Sequence, residues 1–100
     1  MATMDEVRAA RMSAARAHGQ LMGNSSACTM SKSGQSFPAG KFWEGKTAAL
    51  GELVRSGAAD VSAEAARLHR DWCERVVPGE EREAEAYRNG GLEALAEFAG

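Results

Sequence analysis

A histidine and a cysteine in the second half of this 100-residue sequence have a spacing that suits metal binding. His69 and Cys73 are four residues apart, so on a helix both side chains would lie on one face. With His18 and Cys28 they would make a Cys2His2 set of the kind that zinc accepts. A Cys–His nucleophile pair is a second interpretation. A buried cysteine beside a hydrogen-bonded histidine is the commoner cause of this spacing, and we therefore expect no metal site in this chain.

Residues 40–47 match the spacing G-x-x-x-x-G-K-[ST] of a phosphate-binding loop, in which backbone N–H groups and a lysine hold phosphates. Such a loop follows a hydrophobic strand, but Phe37 is the one large apolar residue between positions 34 and 39. Phe42 and Trp43 are bulky for a loop that wraps a phosphate, and they fit a helical stripe instead. The match is therefore expected to be a coincidence at the start of a helix.

The composition predicts a helical protein whose own hydrophobic core is small. Twenty residues are Ala and none is Ile, while six Leu, five Val and three Phe together supply 14 large apolar residues. This is below the roughly one-fifth share at which a chain folds readily by itself. The net charge of −2 is too small to keep the chain unfolded. We therefore expect residues 1–100 to form one small domain that is completed by a partner subunit.

Charge, hydropathy and cysteine content exclude several classes of partner. The net charge is +3 over residues 1–50 and −5 over residues 51–100, and neither half has the dense positive charge that a phosphate backbone requires. We therefore expect no nucleic acid partner. No apolar run reaches the roughly 18 residues of a membrane span, so no membrane partner is expected. Two cysteines are too few for a disulfide framework and fit a cytoplasmic protein.

Apolar residues at helical spacing predict an all-α fold of four to five short helices with a long irregular arm. The first helix is expected over 4–22, with Arg8, Arg11 and His18 near one another on one of its faces. Residues 23–40 are rich in Ser and Gly and have no helical period, so they form either an extended arm over a partner or a mobile linker. The helical core is expected over 41–98.

Capping residues and helix breakers divide this core. The second helix is expected over 41–56, and either Asp60 or Ser62 caps the third. The apolar stripe of the third helix consists of Val61, Ala65, Leu68, Trp72 and Val76. Pro78 ends this helix and occupies the first turn of the fourth. Asn89-Gly90-Gly91 is expected to break the fourth helix, because two adjacent glycines cost roughly 2 kcal/mol inside a helix. A single kinked helix is the alternative.

The similarity to a known family extends over about residues 18–98, and its most specific part is residues 37–57. An aromatic residue precedes Trp-Glu, a basic residue, an Ala-Leu helix and a glycine, and an acidic residue follows shortly before an arginine. The residues are Phe37, Trp43, Glu44, Lys46, Ala49, Leu50, Gly57, Ser62, Glu64 and Arg67. This order resembles the helical N-terminal part of nitrile hydratase β subunits. Tyr87 and Leu95 are similar to the next family segment, and residues 18–23 to the family's His-Asp-Leu-Gly-Gly-Met opening.

The resemblance implies a small subunit that is not catalytic on its own. The family's β subunit continues into a β-barrel half that this sequence lacks, which is similar to the split subunits of three-subunit nitrile hydratases and of thiocyanate hydrolase. The partners would be an α-type subunit that binds cobalt or iron and a β-barrel-type subunit, while this chain would bind no cofactor. In that assembly the metal would act as a Lewis acid and activate water, so that a small nitrile would be hydrated to an amide.

The resemblance also implies roles for particular residues. Arg67, with Arg70 as the alternative, would donate hydrogen bonds from its planar guanidinium to the oxidised cysteine ligands of the partner. A surface salt bridge is the other interpretation of Arg67. Tyr87 would reach the substrate pocket or serve in packing. Two other functions remain open, namely an accessory protein that helps load the metal into the α-type subunit and a helical ligand-binding regulatory domain.

Overall fold

The described part of the chain is all-α, as composition and periodicity predict. The computed structural model describes residues 2–24 and 38–99, and in them four helices and no strand are present. The helices are α1 (Met4–Asn24), α2 (Pro38–Ser56), α3 (Val61–Glu74) and α4 (Glu81–Phe98). Both ends of the predicted arm over 23–40 belong to helices, and residues 25–37 of that arm lie outside the described part.

Side-chain caps and one left-handed glycine mark the helix ends that the sequence predicts. The hydroxyl of Thr3 accepts a hydrogen bond from the backbone N–H of Glu6 (3.2 Å) at the start of α1. Asp60, rather than Ser62, caps α3, and its carboxylate accepts a hydrogen bond from a backbone N–H of the first turn at 3.0 Å. Gly57 follows the end of α2 with a φ of +61°, a conformation that glycine adopts without steric cost.

The predicted start of the last helix at Pro78 is wrong. Pro78 lies in the linker after α3, and α4 begins at Glu81. Gly79 has a φ of +120°, which a right-handed helix does not contain. The carboxylate of Glu80 accepts a hydrogen bond from the backbone N–H of Glu83 (3.1 Å), and this cap defines the start of α4.

The predicted break at Asn89-Gly90-Gly91 is also wrong, because α4 runs through these residues without interruption. The two glycines lie where neighbouring helices come close. A Cβ atom on Gly90 would overlap with the backbone carbonyl of Phe42 in α2, and one on Gly91 would overlap with the indole ring of Trp72 in α3. Close packing against α2 and α3 therefore offsets the cost of two glycines inside a helix.

The central pair of helices is α2 and α4, whose backbones are in contact at two glycines. Gly45 of α2 lies against the backbone carbonyl of Tyr87, just as Gly90 of α4 lies against that of Phe42. Residues 40–47, which match the phosphate-loop spacing, are thus part of a helix, and Gly45 serves this crossing. The structure agrees with the interpretation of that match as a coincidence at a helix start.

Side chains from all four helices form one hydrophobic core. Its buried residues are Val7, Ala49, Leu50, Leu53, Val61, Ala65, Leu68, Trp72, Ala94, Leu95 and Phe98. No polar or charged side chain is buried among residues 2–20 and 39–99, whose side chains the structure describes. None of the four helices described is long and apolar enough to cross a membrane. Completion of this core by a partner subunit stays a prediction.

Candidate functional site

The side chain of Tyr87 is held in place by its neighbours on two other helices. Its ring stacks on the indole of Trp72, with 5.4 Å between the ring centroids and 21° between the ring planes. Trp72 is itself fully buried, and its indole N–H donates a hydrogen bond to Glu52 in α2 at 3.2 Å. The backbone of Tyr87 also contacts Gly45, so both the ring and the main chain at this position pack against other helices. The phenol lies half-buried between two grooves.

The first groove, here called the α1 groove, lies between α1, α2 and α4 and has a volume of about 320 Å³. Its polar lining consists of Arg11, His18, Glu44, Thr47 and Tyr87. The hydroxyl of Thr47 donates to the backbone carbonyl of its own helix at 2.9 Å and is therefore already engaged. The remaining guanidinium, imidazole, carboxylate and phenol can donate and accept hydrogen bonds at the surface of this shallow, open groove.

The second groove, here called the linker groove, lies on the side of Tyr87 that faces the connection between α3 and α4. It has a volume of about 420 Å³ and is lined by linker residues 75–80, by Lys41 and by residues of α4. Lys41 forms an ion pair with Glu44 of the α1 groove at 3.3 Å, so one ion pair joins the walls of both grooves. Val76 contributes an apolar side chain that is 87% exposed.

Arg75 lines the linker groove and is the centre of a network of charged groups. The guanidinium of Arg75 donates to both carboxylate oxygens of Glu52 (2.7 and 3.0 Å) and to Asp71 (2.5 Å). It also lies 4.5 Å from the centroid of the Trp72 ring, in cation–π contact. Burial raises the pKa of Glu52, but hydrogen bonds from Arg75 and Trp72 outweigh it and hold this pKa below its ordinary value. The hydrogen bond with Glu52 raises the pKa of Arg75.

Arg67, the arginine that the resemblance favours, lies on the exposed face of α3. Its guanidinium donates two hydrogen bonds to Glu64 on the same helix, at 3.0 and 2.5 Å. This pairing lowers the pKa of Glu64 and raises that of Arg67. Arg70 is exposed as well. Arg67 lines neither groove beside Tyr87, so the fold does not bring the two predicted site residues together within this chain. Their catalytic roles stay predictions.

The His69–Cys73 pair has the contact that its spacing predicts, but it lies at the surface. The Sγ atom of Cys73 is 3.8 Å from Nδ1 of His69. Cys73 is exposed, so the expected buried cysteine is wrong. His18 lines the α1 groove, and Cys28 lies outside the described residues. Across residues 2–24 and 38–99 no three His, Cys, Asp or Glu side chains come together in a way that could hold a metal ion.

Sequence reasoning missed two features of this region. The first is the position of Arg11 in the α1 groove, although Arg11 and His18 were expected on one face of the first helix. The second is the bond between Glu52 and Arg75, which are 23 residues apart. The Asp71–Arg75 spacing of four residues was the one local signal for this network.

Comparisons with models of protein families, with curated proteins and with solved structures find no match for this chain. The resemblance to nitrile hydratase β subunits therefore depends on the residues that carry it and on how those residues pack.

Proposed function

We propose that this chain is a helical subunit of a nitrile hydratase-type enzyme and is not catalytic on its own. In this proposal an α-type partner holds cobalt or iron, a β-barrel-type partner completes the assembly, and a small nitrile is hydrated to an amide. The chain closes the substrate pocket and supplies an arginine to the metal-ligand cysteines of the partner.

The observation that carries the proposal is the lining of the α1 groove. The resemblance involves three segments that are far apart in the sequence, and each contributes one residue to this groove. They are His18 from the opening segment, Glu44 from the Trp-Glu pair and Tyr87 from the later segment. Because three helices pack around this groove, it collects side chains from distant parts of the chain, and three of its seven lining residues belong to the resemblance. Their convergence supports a shared role in docking or in closing a pocket.

The exposure of Arg67 also suits the proposed role. Its planar guanidinium already makes a bidentate pair of hydrogen bonds to the carboxylate of Glu64. Sulfenate and sulfinate oxygens accept hydrogen bonds in a similar geometry. Exposed ion pairs contribute little to stability, so Arg67 can exchange Glu64 for a partner group without harm to the fold.

The donor groups of this chain do not fit a resident metal site of the nitrile hydratase type. That site needs a cluster of cysteines, and in the described residues no three ligand side chains are gathered. The proposal therefore assigns the metal to the α-type partner. The contribution of this chain is limited to hydrogen bonding by Arg67 and to the shape and polarity of the grooves beside Tyr87.

The separation of Arg67 from Tyr87 favours a second candidate function. An accessory protein that docks on the α-type subunit during metal loading would need a binding surface but no joint site for substrate. The α1 groove would then be part of the docking surface, and Arg67 would have no role in turnover.

Co-expression with an α-type subunit that carries a Cys-x-x-Cys-Ser-Cys motif, together with a β-barrel-type subunit, tests both candidates. A stable complex that forms amide supports the subunit, whereas a complex that separates after metal insertion supports the accessory protein. His18→Ala, in the α1 groove, should weaken the complex, and His69→Ala, outside it, should not. If no complex forms, both candidates are excluded.

A further inference from the structure

We propose that His69 and Cys73 form an exchangeable binding site for a divalent cation of the Zn²⁺ and Co²⁺ class. Both residues belong to α3 and are one helical turn apart, and Cys73 Sγ lies 3.8 Å from His69 Nδ1. Cys73 is exposed and His69 is half-buried. A cation from solution can therefore reach both ligand atoms without any opening of the core.

The distance between the two ligand atoms fits chelation of one tetrahedral ion. Zinc lies about 2.3 Å from a thiolate sulfur and about 2.0–2.1 Å from an imidazole nitrogen, so at a tetrahedral angle the two ligand atoms are roughly 3.6 Å apart. The observed separation of 3.8 Å differs from this value by less than side-chain rotation can correct. The backbone of α3 does not need to move.

The chemistry of the two ligands selects the class of cation. A thiolate and a neutral imidazole favour Zn²⁺ and Co²⁺ over Mg²⁺ and Ca²⁺, which prefer oxygen ligands. When the ion binds, the thiol of Cys73 loses its proton to water and a metal–sulfur bond forms. The lone pair of His69 Nδ1 makes the second bond. No electron is transferred, and the metal–ligand bonds replace the present Sγ···Nδ1 contact.

The site is open because the protein supplies two ligands to it. In the part of the chain that the structure describes, no third His, Cys, Asp or Glu joins the pair in a metal-binding group. The remaining coordination positions are thus left for water or for a group of another molecule. Structural zinc sites, in contrast, use four protein ligands. The pair therefore suits a cation that is taken up and released. This inference does not depend on the proposed nitrile hydratase-type function.

Cobalt binding to the reduced protein tests the proposal, because a Co²⁺–thiolate bond absorbs in the near ultraviolet. The titration uses Co²⁺ alone and a Cys28→Ser background, so that Cys73 is the one remaining thiol. We expect the charge-transfer band to saturate at one Co²⁺ per chain. His69→Ala in the same background should lose the saturable band, whereas His18→Ala should retain it. Circular dichroism checks that each variant is folded.

A variant with the thiol moved by one residue controls for the mere presence of a cysteine. Cys73→Ser combined with Glu74→Cys turns the thiol by about 100° around the helix axis, away from His69. This variant should not show the saturable band. The proposal is overturned if the Cys28→Ser protein shows no band, if His69→Ala binds Co²⁺ equally well, or if the displaced thiol binds it as tightly as Cys73.

Discussion

Gly90 of α4 lies against the backbone carbonyl of Phe42 in α2, so closely that a methyl group on Gly90 would overlap with that carbonyl. The reciprocal contact joins Gly45 of α2 to the backbone of Tyr87 in α4. These two contacts set the separation of the central helices. They also set the positions of the two grooves, because Tyr87 is at the same time a member of the crossing and a wall of both.

We expect Gly90→Ala to destabilise the protein by about 1–3 kcal/mol, the usual range for overpacking a close-packed interior. The backbone of α2 cannot move aside as a flexible side chain can, so the helices must separate. Urea unfolding followed by circular dichroism measures the change.

The matched control for this glycine is Gly19→Ala. Gly19 is also inside a helix, but a Cβ atom there would meet nothing within 4 Å. This substitution should raise stability by up to about 1 kcal/mol, because alanine favours a helix over glycine. Equal effects of the two substitutions would contradict the close contact at Gly90.

The sequence predicts the local parts of this fold well and its long-range contacts poorly. The four buried stripe residues of α3 follow from spacing alone, and spacing limits its cap to Asp60 or Ser62, since each depends on neighbours within a turn or two. Val76 was expected on that stripe but is exposed, because α3 ends before it. From the sequence alone, the two adjacent glycines of α4 indicate only a cost to the helix. Gly90 is needed because the backbone carbonyl of Phe42 lies against it, and Phe42 is remote in the sequence.

In the candidate site, too, local contacts could be predicted from the sequence and long-range contacts could not. The contact between His69 and Cys73 was predictable from a spacing of four residues. The α1 groove was not, because it depends on how three helices pack around Tyr87. The Glu52–Arg75 bond had no local signal, as its partners lie in α2 and in the linker after α3, 23 residues apart.

Glu52→Gln should destabilise the protein by about 1–2 kcal/mol at neutral pH, because the neutral amide cannot replace a partly exposed, charge-assisted pair with Arg75. The folded-state pKa of Glu52 is lowered below 4.5. Its contribution to stability is therefore fully present above the unfolded pKa and is lost as pH falls through the folded one.

Urea unfolding as a function of pH measures this loss. The difference in stability between the native protein and Glu52→Gln should shrink in the acid range. The control is Glu74→Gln, which changes an exposed carboxylate of α3. A difference that stays constant down to low pH would show that the charge of Glu52 is not responsible.

Tyr87→Phe separates the two interpretations of Tyr87. The phenyl ring keeps the stacking on Trp72, so stability should change by less than about 1 kcal/mol. In the proposed nitrile hydratase-type assembly, the loss of the hydroxyl should lower amide formation if the phenol lines the substrate pocket. Unchanged turnover in an intact complex would leave Tyr87 with a packing role alone. Tyr87→Ala, which removes the stacking, should destabilise the isolated chain and serves as the positive control for packing.

Arg67→Lys tests the proposed role of this arginine in the proposed nitrile hydratase-type assembly. Lysine keeps the positive charge but lacks the planar pair of donors, so it cannot hold two oxygen atoms at once. We expect amide formation to fall by roughly 10- to 100-fold, as for other residues that orient metal ligands through hydrogen bonds. The complex should still form, because Arg67 is exposed and, within the part of the chain that the structure describes, its guanidinium hydrogen-bonds to Glu64 alone. Arg70→Lys on the same helix is the matched control and should retain turnover. If Arg67→Lys retains it and Arg70→Lys loses it, the role belongs to Arg70. If both retain it, neither arginine serves the site, and the accessory function becomes the better explanation of the fold.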